Sequence, residues 1–147
     1  MVTRTCTSSL LVAGILAASG SAGLAQQSSY PDLKGTWTGQ VQAVAQGKPE
    51  HFPTTGETGP VFREAPWTFV IDRQEGSRFT GTHGRTDGPL RDSVLGMIRA
   101  DRKTILMVDD DGTFFATLTG PDAMEVCRTE VSADSRGVAC RELTRQR

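Results

Sequence analysis

Cys127 and Cys140 constrain this chain more than any other pair of residues. Partners in an antiparallel hairpin lie symmetrically about its turn. The midpoint of these two falls between Ala133 and Asp134, inside the polar run Ser132-Ala133-Asp134-Ser135. A strand from Met124 to Val131 and a return from Val138 to about Thr144 therefore set the two sulfurs opposite one another. Facing residues in a non-hydrogen-bonded pair have Cα atoms about 4.5 Å apart, at the short end of the disulfide range. Such a bridge locks the C-terminal hairpin and ties no distant parts together.

A structural disulfide calls for an oxidising compartment, and the N-terminus is consistent with one. Arg4 precedes the apolar run Leu10–Ala18, which is too short to span a bilayer. Gly23-Leu24-Ala25 then offers the small residues of a signal-peptidase site. Residues 1–25 read as a cleaved signal peptide, residues 26–32 as a flexible arm and 33–147 as one domain. Cys6 leaves with the signal, so the mature chain keeps an even pair of thiols. The expected location is secreted or periplasmic. Removing 25 of 147 residues leaves 122, enough for a core and small enough to gain from a staple. The mature chain has 15 basic and 17 acidic residues without a block of either sign. Neither nucleic acid nor an anionic membrane surface is indicated.

The rest of the chain reads as short strands between turns. Trp37, Gly39, Val41 and Ala43 alternate with polar neighbours in a first strand, Gly35–Ala45. Gln46–Pro66 carries four prolines and three glycines and reads as a long loop, either a functional lid or a mobile insertion. Strands follow at Trp67–Asp72, Arg78–Gly84, Ser93–Ala100, Thr104–Val108 and Thr113–Thr119. Gly81 marks a bend or a close backbone approach. Asp111-Gly112 supplies the positive φ values of a tight hairpin turn. Eight strands with short connections and no convincing helix predict an all-β, antiparallel up-and-down barrel. Closure removes the edges that invite aggregation.

Leu33-Lys34-Gly35-Thr36-Trp37-Thr38-Gly39 resembles the Gly-x-Trp opening of the calycin barrels: lipocalins, fatty-acid-binding proteins and avidins. Gly76–Thr82 looks like the second hairpin of avidins. The resemblance implies that Trp37 plugs one barrel end beneath an arginine from the last strand, with Arg141 and Arg145 as candidates beside inward-pointing Leu143. Gly39 stands where avidins carry an Asn, and no tryptophan follows Trp67, so biotin binding does not carry over.

Phe69, Ile71, Phe79, Ile105, Met107 and Phe114 are the candidate lining of a small apolar cavity, or simply the core that fills it. His83 reads as an acid/base or ligand contact at a barrel mouth or, more commonly for such a position, as a surface or turn histidine. The two histidines have no metal-ligand spacing with each other or with carboxylates, and no cofactor motif is present. An EF-hand reading of Asp109–Asp111 fails, because Met107 and Leu118 fall at its first and twelfth positions. A solvated turn is preferred there. No nucleophile elbow, phosphate loop or dinucleotide fingerprint appears, so an enzyme is not expected. The expectation is an exported barrel that binds a small apolar molecule. The alternative is a protein-interaction barrel, such as an exported protease inhibitor acting through the arm.

Overall fold

Inward-facing residues of one parity run along every strand, and they close the chain on itself. The computed structural model describes residues 29–48, 52, 59–88 and 92–147. The segments read as signal peptide, and most of the proline-rich loop, lie outside the described residues. Eight strands follow in chain order: β1 Gly35–Gly47, β2 Val61–Glu75, β3 Arg78–Arg85, β4 Asp92–Ile98, β5 Thr104–Val108, β6 Gly112–Gly120, β7 Ala123–Val131 and β8 Ser135–Arg145. Each pairs antiparallel with its neighbours, and β1 pairs with β8 to complete a closed up-and-down barrel. The architecture is consistent with a calycin-like fold. Among the described residues no helix is long and apolar enough to cross a membrane.

The expected strands are present, but three details differ. The proline-rich segment becomes regular at Val61, so Val61–Pro66 belong to β2. Pro66 fits there because its carbonyl accepts from the Thr86 amide at 3.0 Å, beyond the last β2–β3 pair at Trp67 and Arg85. Its missing N–H faces the place where that ladder has already ended. The last strand begins at Ser135, three residues before the expected start, because β1 runs on to Gly47 and pairs with Ser135. Finally, neither Asp111 nor Gly112 takes a positive φ. Asp110 and Asp111 form the centre of a turn closed by the Asp109 amide on the Gly112 carbonyl, and Asp109 and Asp111 both turn toward Arg128.

Cys127 and Cys140 pair directly across β7 and β8 and are disulfide-bonded. Gly39 and Gly81 are among the glycines required by close approach. A Cβ on Gly39 would lie 1.9 Å from the Glu142 carbonyl oxygen, at the seam where β8 closes on β1. One on Gly81 would lie 2.2 Å from the Val70 oxygen, beside the bulge between Ile71 and Arg73.

The barrel has two unlike ends. At the end where β1 begins, Leu33, Trp37, Met124, Ile98, Ile105 and Leu143 are all essentially inaccessible. The Trp37 indole donates to the Leu33 carbonyl at 2.8 Å. The Arg145 guanidinium lies over its ring, 4.5 Å from the centroid. Arg145, and not Arg141, therefore covers the tryptophan. At the opposite end, where Phe52 and the turns after β5 and β7 lie, the interior is charged.

Candidate functional site

Strand parity carries polar residues into the charged end. Along β7, Met124, Val126, Arg128 and Glu130 all face inward. Along β8, so do Ser135, Ala139, Arg141 and Leu143. β3 contributes His83, and the turn that follows β5 contributes Asp109.

Two layers result. In the outer layer Arg128 distributes its guanidinium among three carboxylates. Nε donates to Asp109 Oδ2 at 3.1 Å, Nη1 to Glu130 Oε2 at 2.8 Å, and Nη2 to Asp111. Glu130 also accepts from the Ser135 hydroxyl at 2.8 Å, and the Ser132 and Ser135 hydroxyls lie 2.8 Å apart. Asp109, its side chain 1% exposed, also meets His83 Nε2 at 3.1 Å. Burial pushes the Asp109 carboxyl up, but the hydrogen bonds from His83 and Arg128 override it and hold the group well below the usual carboxylate range. Burial likewise pulls the Arg128 guanidinium down, and its bonds to Glu130 and Asp109 reverse the shift and raise it.

The inner layer is aromatic. His83 stacks on Phe69 with centroids 5.0 Å apart and meets the edge of Phe114 at 5.0 Å. Arg141 reaches into the same layer. Its Cζ lies 4.9 Å from the Trp67 centroid, 5.5 Å from that of Phe69 and 5.8 Å from that of Phe114. Its Nε and Nη1 are buried and find no acceptor among the described residues. Burial, with the nearby charge of Arg128, pushes this guanidinium down to about 9, against a smaller opposing pull from Asp109. It is still a cation at neutral pH. Among the described residues only ring faces lie directly against this cation, which is unusual because buried charges are ordinarily paired.

Phe52 closes this end. It is 8% exposed and stacks on Trp67 at 5.8 Å. Between it and the wall formed by Ala43, Ala45, Ala139, Arg128 and Glu130 remains a crevice of about 10 Å³, room for one water at most. The described residues are therefore closely packed at this point.

Phe69, Ile71, Phe79, Ile105, Met107 and Phe114 are all buried inside the barrel. Of these, Phe69 and Phe114 belong to the aromatic layer around Arg141, and none of the six lines the crevice. His83 is 0% exposed, which corrects its reading as a surface or turn residue. The solvated reading of the aspartate run is corrected for Asp109, which is buried against Arg128 and His83. Reasoning from sequence missed Arg128, Glu130 and Ser135. Parity with Met124 and Val126 was the available signal for Arg128 and Glu130, whereas Ser135 fell inside the expected turn. Among the described residues no group of three or more His, Cys, Asp or Glu side chains gathers as a metal site. The chain matches no protein-family model, no curated protein and no solved structure.

Proposed function

We propose that the protein is an exported binding module whose ligand is a small, flat, largely apolar molecule bearing one anionic group, received at the charged end of the barrel. Arg141 carries this reading: a buried guanidinium, charged at neutral pH, with Nε and Nη1 lacking an acceptor among the described residues. Ring faces return about 2 kcal/mol to a desolvated cation, less than the several kcal/mol its burial costs. A carboxylate from outside the chain supplies the missing acceptor in the fork geometry a guanidinium favours. The apolar part of the ligand takes the place of the Phe52 ring. Phe52 and Arg141 both rest on the Trp67 indole, at 5.8 Å and 4.9 Å from its centroid. The small side chains of Ala43, Ala45 and Ala139 leave the space that Phe52 fills. Export is supported by the N-terminal sequence and by the disulfide.

Calorimetric titration with phenylacetate and with neutral benzyl alcohol tests the reading on wild type, Phe52→Ala and Arg141→Met. Phe52→Ala is expected to bind phenylacetate more tightly than wild type. Arg141→Met is expected to lose phenylacetate while keeping any affinity for the alcohol. Failure of both probes on Phe52→Ala, shown folded by circular dichroism, overturns the proposal.

A further inference from the structure

We propose that the outer face of β4, β5 and β6 is the interface of a two-fold homodimer. This stands apart from the interior site, because it rests on residues of the opposite parity. Leu95, Met97, Leu106, Val108 and Phe115 all point out of the barrel and are 45–59% exposed. They are contiguous. Met97 pairs with Leu106 and Leu106 with Phe115 across the three strands, while Leu95 pairs with Val108 one row away. Together they expose on the order of 500 Å², near the top of the range for the largest apolar patch on a monomer. Flanking Ser93, Thr104, Thr113 and Thr117 can supply much of the remainder of the about 800 Å² per partner that a stable interface buries.

The occupant is identified by charge. The turn between β4 and β5 presents exposed Arg99 and Lys103 at one end of the patch. The exposed Asp101 carboxylate in that turn accepts from the Lys103 amide at 3.0 Å and from the Thr104 amide at 2.8 Å, and the turn keeps a net positive charge through Arg99, Arg102 and Lys103. The turn between β5 and β6 presents exposed Asp110 at the other end. β5 runs between the two turns, so the apolar face has a basic and an acidic pole. A two-fold axis lying in the plane of the interface, perpendicular to β5 and passing over Leu106, turns the second copy face to face with the first and reverses its strand direction. It sets Lys103 of each copy against Asp110 of the other and buries the apolar rows against each other. This is a closed, self-complementary arrangement.

Sedimentation equilibrium on the purified protein tests it. The wild type is expected to be a dimer that weakens as salt rises, because the poles are solvent-exposed. Leu106→Lys is expected to be monomeric with unchanged far-ultraviolet dichroism, since that side chain faces outward. Lys103→Glu and Asp110→Lys should each weaken association by roughly tenfold or more, about 1.4 kcal/mol. The double exchange should restore it, which a merely adhesive patch would not do. Phe62→Lys, on the β2 wall, should leave the dimer intact. A wild type that stays monomeric to about 1 mM overturns the proposal. So does a Leu106→Lys protein that still dimerises, a double exchange without recovery, or a dimer lost through Phe62→Lys.

Discussion

Arg145 holds its guanidinium carbon 4.5 Å from the centroid of the Trp37 ring, and the same side chain donates to the Asp32 and Lys34 carbonyls at 2.5 and 3.3 Å. The last strand thus clamps the segment that leads into the first. Arg145→Ala removes the cation from the ring and the donors from two carbonyls, and is expected to cost about 2 kcal/mol in urea unfolding. Arg145→Lys should recover part of that loss, since an ammonium keeps the charge over the ring but not the fork of donors. Equal stability of the two variants would contradict this account of the clamp.

Asp109 gives the barrel a dependence on acid. Its carboxyl is held below the usual range in the folded chain, so the unfolded chain binds more protons as pH falls. The stability it contributes is whole above about pH 4, the ordinary aspartate value, and is lost as pH drops toward the depressed folded value. Asp109→Asn leaves Arg128 buried with one fewer counter-charge and is expected to cost about 3 kcal/mol at neutral pH. The gap between wild type and variant, measured by denaturant unfolding, should narrow below about pH 4. A gap constant across that range would rule out the titration of Asp109 as its source.

The disulfide closes a loop of thirteen residues between β7 and β8. Loops of that length contribute about 3 kcal/mol through the unfolded state. The paired Cys127→Ser, Cys140→Ser variant should lose about that much while keeping its far-ultraviolet dichroism, because the β7–β8 ladder does not depend on the sulfurs. A larger loss with altered dichroism would mean that the bridge holds more than one hairpin.

Alternation with period two made the barrel legible, because every strand here packs one face inward and turn residues separate the strands. Cysteine spacing supplied one register outright. What the sequence did not reveal is how the interior is satisfied. Asp109 follows β5, while His83 and Arg128 sit on β3 and β7, and only closure of the whole sheet brings them together. Each looks like a surface residue until its partners are in place. Trp37 was legible as an end plug, whereas the choice between Arg141 and Arg145 depended on strand tilt, which leaves no mark in spacing. Arg141 looked like a candidate cover for a tryptophan and instead occupies the middle of the barrel.

Gly39 is a test of the seam. A Cβ there falls 1.9 Å from the Glu142 carbonyl oxygen, a backbone atom that cannot swing aside. Gly39→Ala must therefore part β1 from β8, at about 1–3 kcal/mol. Gly59→Ala, with nothing within 4 Å of the added carbon, serves as a control and should be neutral. Equal effects at the two sites would mean that the closing ladder yields more easily than its geometry implies.

Arg141 separates stability from binding. A side chain kept for folding destabilises the protein when replaced by an apolar one. A side chain kept for a ligand does the reverse in the free protein, because the cost of burying its charge disappears. Methionine has a similar length and no charge, and three aromatic rings already surround the position. Exchanges of buried charge for well-packed apolar groups are often neutral or stabilising by about 1–4 kcal/mol. Arg141→Met is therefore expected to unfold at the same or higher urea concentration than wild type, while its calorimetric response to phenylacetate disappears. A clear loss of stability in Arg141→Met would instead make the guanidinium a structural brace between the rings and remove the main support for an anionic ligand.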